Sequence, residues 1–378
     1  MPAFSGQLTA NEIFASQYNL IISIQAMTDN IEDGFASLVD RARVDGSLYG
    51  DTKLYVDSDI LKSYPWTGDN EAANLLAINR PADPKTQAIK LDVFRQIPLT
   101  VDYYLSKRFW KSEESFSQFA SVLLGWLGDT KRVYDETTYN AYLGTHETSV
   151  GEQQQVVDVS GVTAAASTAD EESYARIVAE AIARKIANLM IDLRKPSRDY
   201  NDNEFMKSFS PKSLIVVWNS KFVNFITKYG TPSIFHKDGL LEGVFSPENV
   251  LPEAYFGAVN SSATAGDGST VRSLIEQDIT TGGVTTHYFA GDLILATDTA
   301  PAGTSYTNIV AVGGDNFSDD EIICKIIHRD SLPYMSAFQV GTSFFNARSL
   351  TENHYLTFGH NSLESLASRP FVTVKIDV

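Results

Sequence analysis

The amino-acid sequence predicts an α+β protein, because segments with helical periodicity alternate with segments typical of β-strands. Two long helical patterns run from Ser112 to Gly144 and from Thr168 to Leu193. Strand patterns flank both, and the last of them is the apolar segment 371–378. The chain has 378 residues, of which 43% are hydrophobic and 11% aromatic. It can therefore bury a sizeable core and does not have the composition of a disordered protein.

The first predicted element is an N-terminal arm followed by a helix within residues 1–46. Ile31, Phe35 and Leu38 fall at helical spacing, and Asn30 could cap the helix that they define. No basic flank precedes the first apolar cluster, so we expect no secretion signal. Apolar runs elsewhere stop after about five residues, whereas a membrane helix needs roughly twenty.

A two-stranded finger is predicted next. Residues 52–57 alternate between apolar and polar side chains, and residues 87–97 do the same. The connection over 58–86 is polar and contains three prolines, so it cannot pair continuously in a sheet and should project outward. Connections of this length usually serve binding, and a two-stranded stem needs a partner surface to be stable.

The two long helices follow the finger. Residues 112–144 carry a broad stripe of apolar and aromatic side chains, although Gly125 and Gly128 would permit a bend. The second helix opens with the capping-box spacing of Thr168 and Glu171. Both stripes are better explained as core faces than as cofactor pockets.

Shorter elements complete the predicted order. Residues 214–218 predict a buried strand and residues 221–229 a short helix. Residues 257–310 are rich in Gly, Ser, Thr and Ala and are interpreted as a surface insertion. The final strand pattern over 371–378 is expected to join a sheet.

Charge and cysteine content exclude several classes of function. The 47 acidic residues exceed the 30 basic residues, which gives a formal net charge of −17. Such a chain is repelled by phosphate backbones and anionic lipids, so sequence-reading nucleic-acid binding is disfavoured. The single cysteine, Cys324, cannot form an internal disulfide or a cysteine-based zinc site, and its apolar surroundings predict a buried thiol.

The sequence lacks the common catalytic motifs, namely the P-loop, the dinucleotide-binding glycine pattern, the zincin histidine pair and the nucleophile elbow. His354 and His360 are six residues apart without a ligand-spaced carboxylate cluster, so we do not expect a metal site there. The acidic stretches 198–204 and 315–321 lack the spacing of a calcium loop and are interpreted as solvated turns. We therefore predict no catalytic, cofactor-binding or metal-binding residue and no enzyme activity.

The predicted element order resembles that of the major capsid proteins of tailed bacteriophages, the Hong Kong 97-type fold, most closely those of short-tailed phages. The segment 92–98, Asp-Val-Phe-Arg-Gln-Ile-Pro, leading to Ser117–Leu123 is similar to the return strand of that family's E-loop entering its spine helix. The segment 194–202 followed by Leu214–Asn219 is similar to the family's axial-domain helix, turn and strand.

The resemblance implies a domain division and a set of contact residues. The implied parts are an N-terminal arm (1–46), an E-loop (47–100), a peripheral domain with the spine helix (101–160), an axial domain (161–340) with an insertion (257–310), and C-terminal strands returning to the peripheral domain (341–378). In this interpretation the E-loop contacts a neighbouring subunit through Ile89, Leu91, Val93, Arg95, Tyr64 and Trp66.

The resemblance also implies a function. A chain of this family would assemble with copies of itself, as hexamers and pentamers, into an icosahedral shell around phage double-stranded DNA without sequence-specific binding. It would be assembled in the host bacterial cytoplasm, be part of the virion, need no cofactor or membrane, and contact a portal protein and any scaffolding or decoration proteins.

Two other functions remain open from the sequence. One is an encapsulin-like compartment shell that shares the fold but encloses cargo enzymes. The other is a soluble hydrolase with an unconventional site, for which substitutions of His354 or Asp199 would be the test.

Overall fold

The computed structural model describes residues 38–46, 51–64, 78, 80–102, 113–159, 171–223, 249–256, 259–264, 271–281, 283–295, 305–312, 322–349 and 351–377. The α-helices are α1 (Leu38–Ala42), α2 (Glu113–Thr145) and α3 (Glu171–Arg194), and 3-10 helices cover Pro211–Ser213 and Glu253–Tyr255. The strands are β1 (Arg43–Asp45), β2 (Thr52–Asp57), β3 (Lys85–Asp102), β4 (Gln154–Asp158), β5 (Leu214–Asn219), β6 (Val250–Leu251), β7 (Val259–Thr264), β8 (Val271–Ser273), β9 (Gln277–Thr281), β10 (Val284–Tyr288), β11 (Leu293–Leu295), β12 (Ser305–Val312), β13 (Ile322–His328), β14 (Tyr334–Asn346), β15 (Thr351–Asn361) and β16 (Phe371–Asp377).

The first sheet has the order β1-β14-β15-β3-β2 and is antiparallel except for the β1–β14 pair. Strand β3 belongs to two pairings along its 18 residues. Its first part, residues 85–90, pairs with β2, and its later part, residues 91–102, pairs with β15. The β2–β3 hairpin is thus an extension of this sheet. Helix α2 packs on the sheet through Leu127, which shares a cluster with Leu356.

The second sheet has the order β4-β16-β13-β5-β6 and carries the main hydrophobic core. Helix α3 covers it with one apolar face, including Ile182, Ile186 and Leu193, each of which is almost fully buried. Every residue of β13 is buried, as expected for a strand covered on both faces. Cys324 lies there, and burial raises the pKa of its thiol. The predicted burial of this cysteine is confirmed.

Strand β16 joins a sheet, as predicted, and this sheet is not the one that contains β14 and β15. It pairs with β13 and β4 in the second sheet, whereas β14 and β15 belong to the first sheet. The C-terminal segment 341–378 is therefore shared between the two sheets and does not return as one unit. The alternation of β16 indicates a strand but cannot indicate which sheet receives it.

The region interpreted as a surface insertion is built from short strands with a small core of its own. Strands β11, β8, β12 and β7 form one sheet in that order, and β9 with β10 forms a hairpin. Their shared core contains Val271, Ile279, Ile294, Ile309 and Ala311.

Helix α2 agrees with its prediction and runs without interruption through Gly125 and Gly128. Its 33 residues span about 50 Å at the usual rise. Gly144, expected to end the helix, lies inside it, where a Cβ atom would collide with the backbone carbonyl of Tyr255. That glycine is required for close approach of two segments. The helix predicted over 221–229 and the Thr168 cap lie largely or wholly outside the described residues, as does the helical pattern before Leu38.

Candidate assembly surface

The β2–β3 hairpin has an inner face that this chain itself covers. Ile89 and Leu91 alternate with exposed neighbours along β3, and both are only 3% exposed. They pack with Met335 and Leu366, and Tyr55 of β2 contributes a partly buried ring. The hairpin therefore lies against its own subunit along this face.

The outer face of the same hairpin is apolar and open to solvent. Leu54 and Val56 point away from the inner face by strand alternation and are 62% and 63% exposed. Beyond the end of β2, the side chains of Ile60, Leu61 and Tyr64 are also exposed. We name these five residues the hairpin outer surface. Five exposed apolar side chains within residues 54–64 favour a protein interface at this segment.

Two carboxylates fix the far end of β2 to the body of the chain. Asp57 forms an ion pair with Lys207 and accepts a hydrogen bond from Asn203 Nδ2 at 2.8 Å. Asp59 pairs with Arg198 at 2.7 Å and accepts a hydrogen bond from the Met206 backbone N–H at 3.0 Å. We call these contacts the Asp57–Asp59 latch. The Met206 N–H, helped by Arg198, lowers the pKa of Asp59 because both stabilise its ionised form.

The turn that receives the latch is held rigid by its own hydrogen bonds. Ser197 and Lys207 exchange two backbone hydrogen bonds of 2.9 Å. Asn201 bridges the turn, because its side chain both donates to and accepts from the backbone of Phe205, at 2.8 and 2.9 Å. Glu204 has a φ of 55°, which is rare for a residue with a side chain and marks a tight reversal. The latch thus meets a preformed surface.

Strand β3 adds a second attachment beside the latch. Lys85 donates to the Asn203 backbone carbonyl at 3.1 Å and lies over the Phe205 ring. Gln87 donates to the carbonyl of Ser365 at 3.0 Å and accepts from the N–H of Ala367 at 2.9 Å. The hairpin is consequently anchored by polar contacts at both strands.

A buried polar cluster joins helix α2 to the first sheet. Asp135 accepts a hydrogen bond from Tyr334 Oη at 2.6 Å and pairs with Lys131 at 2.5 Å and with Arg43 at 3.4 Å. Burial and this carboxylate raise the pKa of the Tyr334 hydroxyl. Because its carboxylate binds groups of helix α2, β1 and β14 within the chain, Asp135 fixes the long helix relative to the sheet that bears the hairpin.

His360 extends this cluster on β15. Its Nδ1 lies 2.7 Å from the carbonyl oxygen of Asn361, which can only accept, so Nδ1 carries the proton. Nε2 then accepts from Tyr134 Oη at 2.7 Å. Burial lowers the pKa of His360, in agreement with a neutral imidazole. The histidine that could have suggested a metal ligand therefore has both nitrogens in structural hydrogen bonds.

The remaining predicted contact residues lie at different levels of exposure. Val93 and Arg95 are half-buried, and Arg95 pairs with Glu276 at 3.5 Å and lies over the Tyr134 ring. Tyr64 is exposed. Trp66 lies outside the described residues. Sequence reasoning did not name Leu54 and Val56, although the alternation of residues 52–57 places both on one face.

Of the two residues named for the hydrolase hypothesis, His354 is buried and Asp199 is exposed in a turn. His354 lies in β15, and burial lowers its pKa to about 4. Asp202, expected in a solvated turn, accepts hydrogen bonds from Thr148 Oγ1 at 2.9 Å and Gln153 Nε2 at 2.7 Å. Within the described part of the chain, no group of three or more His, Cys, Asp or Glu residues is arranged to hold a metal ion. No helix of that part is long and apolar enough to span a membrane.

Comparison with known proteins finds similar structures but no similar sequences. No protein-family model matches the chain, and no curated protein matches it in sequence. The structure is similar to a chain in the capsid structure of Staphylococcus phage Andhra, with a TM-score of 0.55 and 9% identity over 89% of this chain and 83% of that chain. It is also similar to a chain in the structure of the head fiber and inner core protein gp22 of native bacteriophage P68, with a TM-score of 0.55 and 12% identity over 92% and 86%. At such low identities the likeness concerns the fold, and at that level the resemblance predicted from the sequence is confirmed: this chain shares an α+β fold with a chain of a phage capsid structure.

Proposed function

We propose that this protein is a phage major capsid protein that assembles with copies of itself into an icosahedral shell enclosing double-stranded DNA. The observation that carries the proposal is the fold shared with a chain of a phage capsid structure over 89% of this chain. The hairpin outer surface supports it independently, because a capsid subunit needs apolar area that only a neighbouring copy can cover.

The proposed parts follow the implied division, adjusted to the sheets. Residues 1–46 are the N-terminal arm, and the β2–β3 hairpin with its connection is the E-loop. The first sheet and helix α2 form the peripheral domain. The second sheet with helix α3 forms the axial domain, which carries the insertion and also receives strand β16.

In this proposal the contact role moves from the inner to the outer face of the hairpin. Ile89 and Leu91 already have partners within the chain, so they set the direction of the hairpin. Leu54 and Val56, with the rest of the hairpin outer surface, bury against the next subunit. Each such aliphatic side chain contributes about 1.5 to 3 kcal/mol when fully buried. Many symmetry-related contacts of this modest size can together close a shell.

The charge of the subunit fits enclosure of DNA without specific recognition. A net charge of −17 keeps the genome from adhering to the wall along its whole length. The proposal includes a portal protein, scaffolding and decoration proteins as partners, assembly in the host cytoplasm and a final place in the virion. It assigns no catalytic residue and no cofactor. Nothing in the described residues favours a cargo compartment or a hydrolase over this function.

The proposal is tested by expressing the protein alone and with its neighbouring genes, followed by size-exclusion chromatography and negative-stain electron microscopy. We expect closed shells, tubes, or rings of five or six subunits. The double substitution Leu54→Ser with Val56→Ser should leave a folded subunit that no longer assembles. The matched control, Leu293→Ser with Val284→Ser, removes the same two residue types from other exposed strand positions and should still assemble. A wild-type protein that stays monomeric with and without its neighbours would contradict the proposal.

A further inference from the structure

A basic cleft lies where strand β13 ends beside the start of strand β5. Leu214 pairs with His328, and the Arg329 N–H donates to the Ser213 carbonyl at 2.8 Å, so the two strand ends are locked together. Lys212, Arg329 and Arg369 line the cleft with His328. Three segments far apart in sequence thus bring their cations to one concave site.

Several other cations of this acidic protein lie in ion pairs. Lys207, Arg198 and Lys131, for example, each pair with a carboxylate. Among the described residues, no ion pair within 4 Å includes Lys212, Arg329 or Arg369. In a chain with a net charge of −17, three cations on one concave surface, with Asp330 as the one carboxylate among the lining residues, indicate a site for an external anion.

His328 is the titratable group that lies among these charges. Its ring is nearly buried, and Nδ1 accepts a hydrogen bond from the Asp330 backbone N–H at 3.1 Å. Burial lowers the pKa of His328, and the charges of Arg369 and Arg329 lower it further, against the opposing effect of Asp330. Both arginines therefore act on one imidazole. The Asp330 carboxylate, 3.8 Å from Nδ1, is the one acidic group among the residues that line the cleft.

Internal hydrogen bonds fix two of the segments that line the cleft. Arg369 is half-buried, and its N–H donates to the Leu366 carbonyl at 2.9 Å. The side chain of Ser213 donates to the Ser210 carbonyl at 2.7 Å, which closes the short 3-10 turn that presents Lys212. Two guanidinium forks beside an ammonium group suit the tetrahedral oxygens of phosphate better than a single carboxylate.

We propose that this cleft binds a phosphate group, taken either from inorganic phosphate or from the backbone of duplex DNA. The inference goes beyond the proposed shell function, which does not require it. The overall negative charge does not prevent such binding, because at physiological ionic strength charges farther than about 8 Å are largely screened. Binding depends on the local cations, and recognition of a backbone phosphate is independent of DNA sequence.

The test uses the full chain and two probes. Inorganic phosphate is titrated by calorimetry at low salt, and a fluorescently labelled DNA duplex is titrated by anisotropy at several salt concentrations. The variant is Arg329→Gln with Arg369→Gln. The control, Arg184→Gln with Arg348→Gln, changes the net charge equally at exposed positions. Circular dichroism checks that both variants remain folded, and Arg369→Lys provides a charge-conserving variant that should keep part of the affinity.

We expect the cleft variant to bind inorganic phosphate at least about tenfold more weakly than the wild type, while the control is unchanged. If the phosphate comes from DNA, the slope of the logarithm of DNA affinity against the logarithm of salt concentration should also become shallower. The change should correspond to the loss of up to about two phosphate contacts. Phosphate binding without DNA binding supports the site and assigns it to the free anion. The inference is overturned if the wild type binds neither probe, or if cleft and control variants weaken binding equally. Assembly assays on the same variants test the shell proposal independently of phosphate binding.

Discussion

Strands β13 and β2 show two different ways in which this chain holds a strand. All seven residues of β13 are buried, and it lies between two partner strands under helix α3. Strand β2 has no buried residue and pairs with β3 alone. It is kept in place by the Asp57–Asp59 latch and by the inner face of β3. The first strand is stabilised by the protein's own core, whereas the second leaves apolar side chains exposed.

The largest effect should come from the buried strand. Ile326→Ala removes a fully buried side chain from the core shared with helix α3. We expect the free energy of unfolding to fall by about 2 to 5 kcal/mol, because the surrounding side chains cannot close the cavity completely. Guanidinium denaturation measures this loss. A loss below about 1 kcal/mol would mean that β13 is less firmly packed than the comparison requires.

A smaller effect is expected at the latch. Asp57→Asn removes the charge that pairs with Lys207 but keeps the shape of the side chain. We expect a loss of about 1 to 2 kcal/mol, confined to the hairpin, because the pair is only partly shielded from solvent. Hydrogen exchange should show faster opening of β2 amides and unchanged protection of β13. Equal acceleration in both strands would indicate that the hairpin is not a separate opening unit.

Asp57 and Lys207 also illustrate where prediction from sequence stops. They are separated by 150 residues, and no local pattern of charge indicates that they meet. The basic cleft could not be predicted from the sequence for the same reason, because Lys212, Arg329 and Arg369 come from three distant segments. Local periodicity predicted helix α2, the strand over 87–97 and the burial of Cys324, because each depends on nearby residues. Periodicity also predicted that one face of β3 is buried, whereas the assignment of that face to a neighbouring subunit came from the family resemblance, because alternation carries no information about the partner.

The latch should also depend on pH through Asp59. Because contacts in the folded chain lower its pKa, its contribution is present above the ordinary aspartate value of about 3.9 and is lost as the pH falls through the lower folded value. The amide signal of Met206, which donates to this carboxylate, should therefore shift with a midpoint below about 3.9 in an NMR titration. Asp59→Asn should abolish that transition. A midpoint at or above the ordinary value would mean that the latch is open in solution.

The smallest effect on stability should come from the hairpin outer surface, where the effect on assembly should be large. Tyr64→Ala removes an exposed ring, so the free energy of unfolding should change by no more than about 0.5 kcal/mol. If that ring packs on a neighbouring subunit, the protein concentration needed for assembly should rise at least severalfold, because the lost area is repeated at every contact in the shell. Light scattering against protein concentration measures this threshold, and guanidinium denaturation measures stability on the same samples. A stability loss above about 1 kcal/mol would mean that the Tyr64 ring packs within its own chain. An unchanged concentration threshold for assembly would mean that the ring does not contact a neighbouring subunit. A substitution in a strand held by the protein's own core, such as β13, should lower stability. A substitution on a hairpin face that a second copy covers should instead raise the assembly threshold and leave stability nearly unchanged.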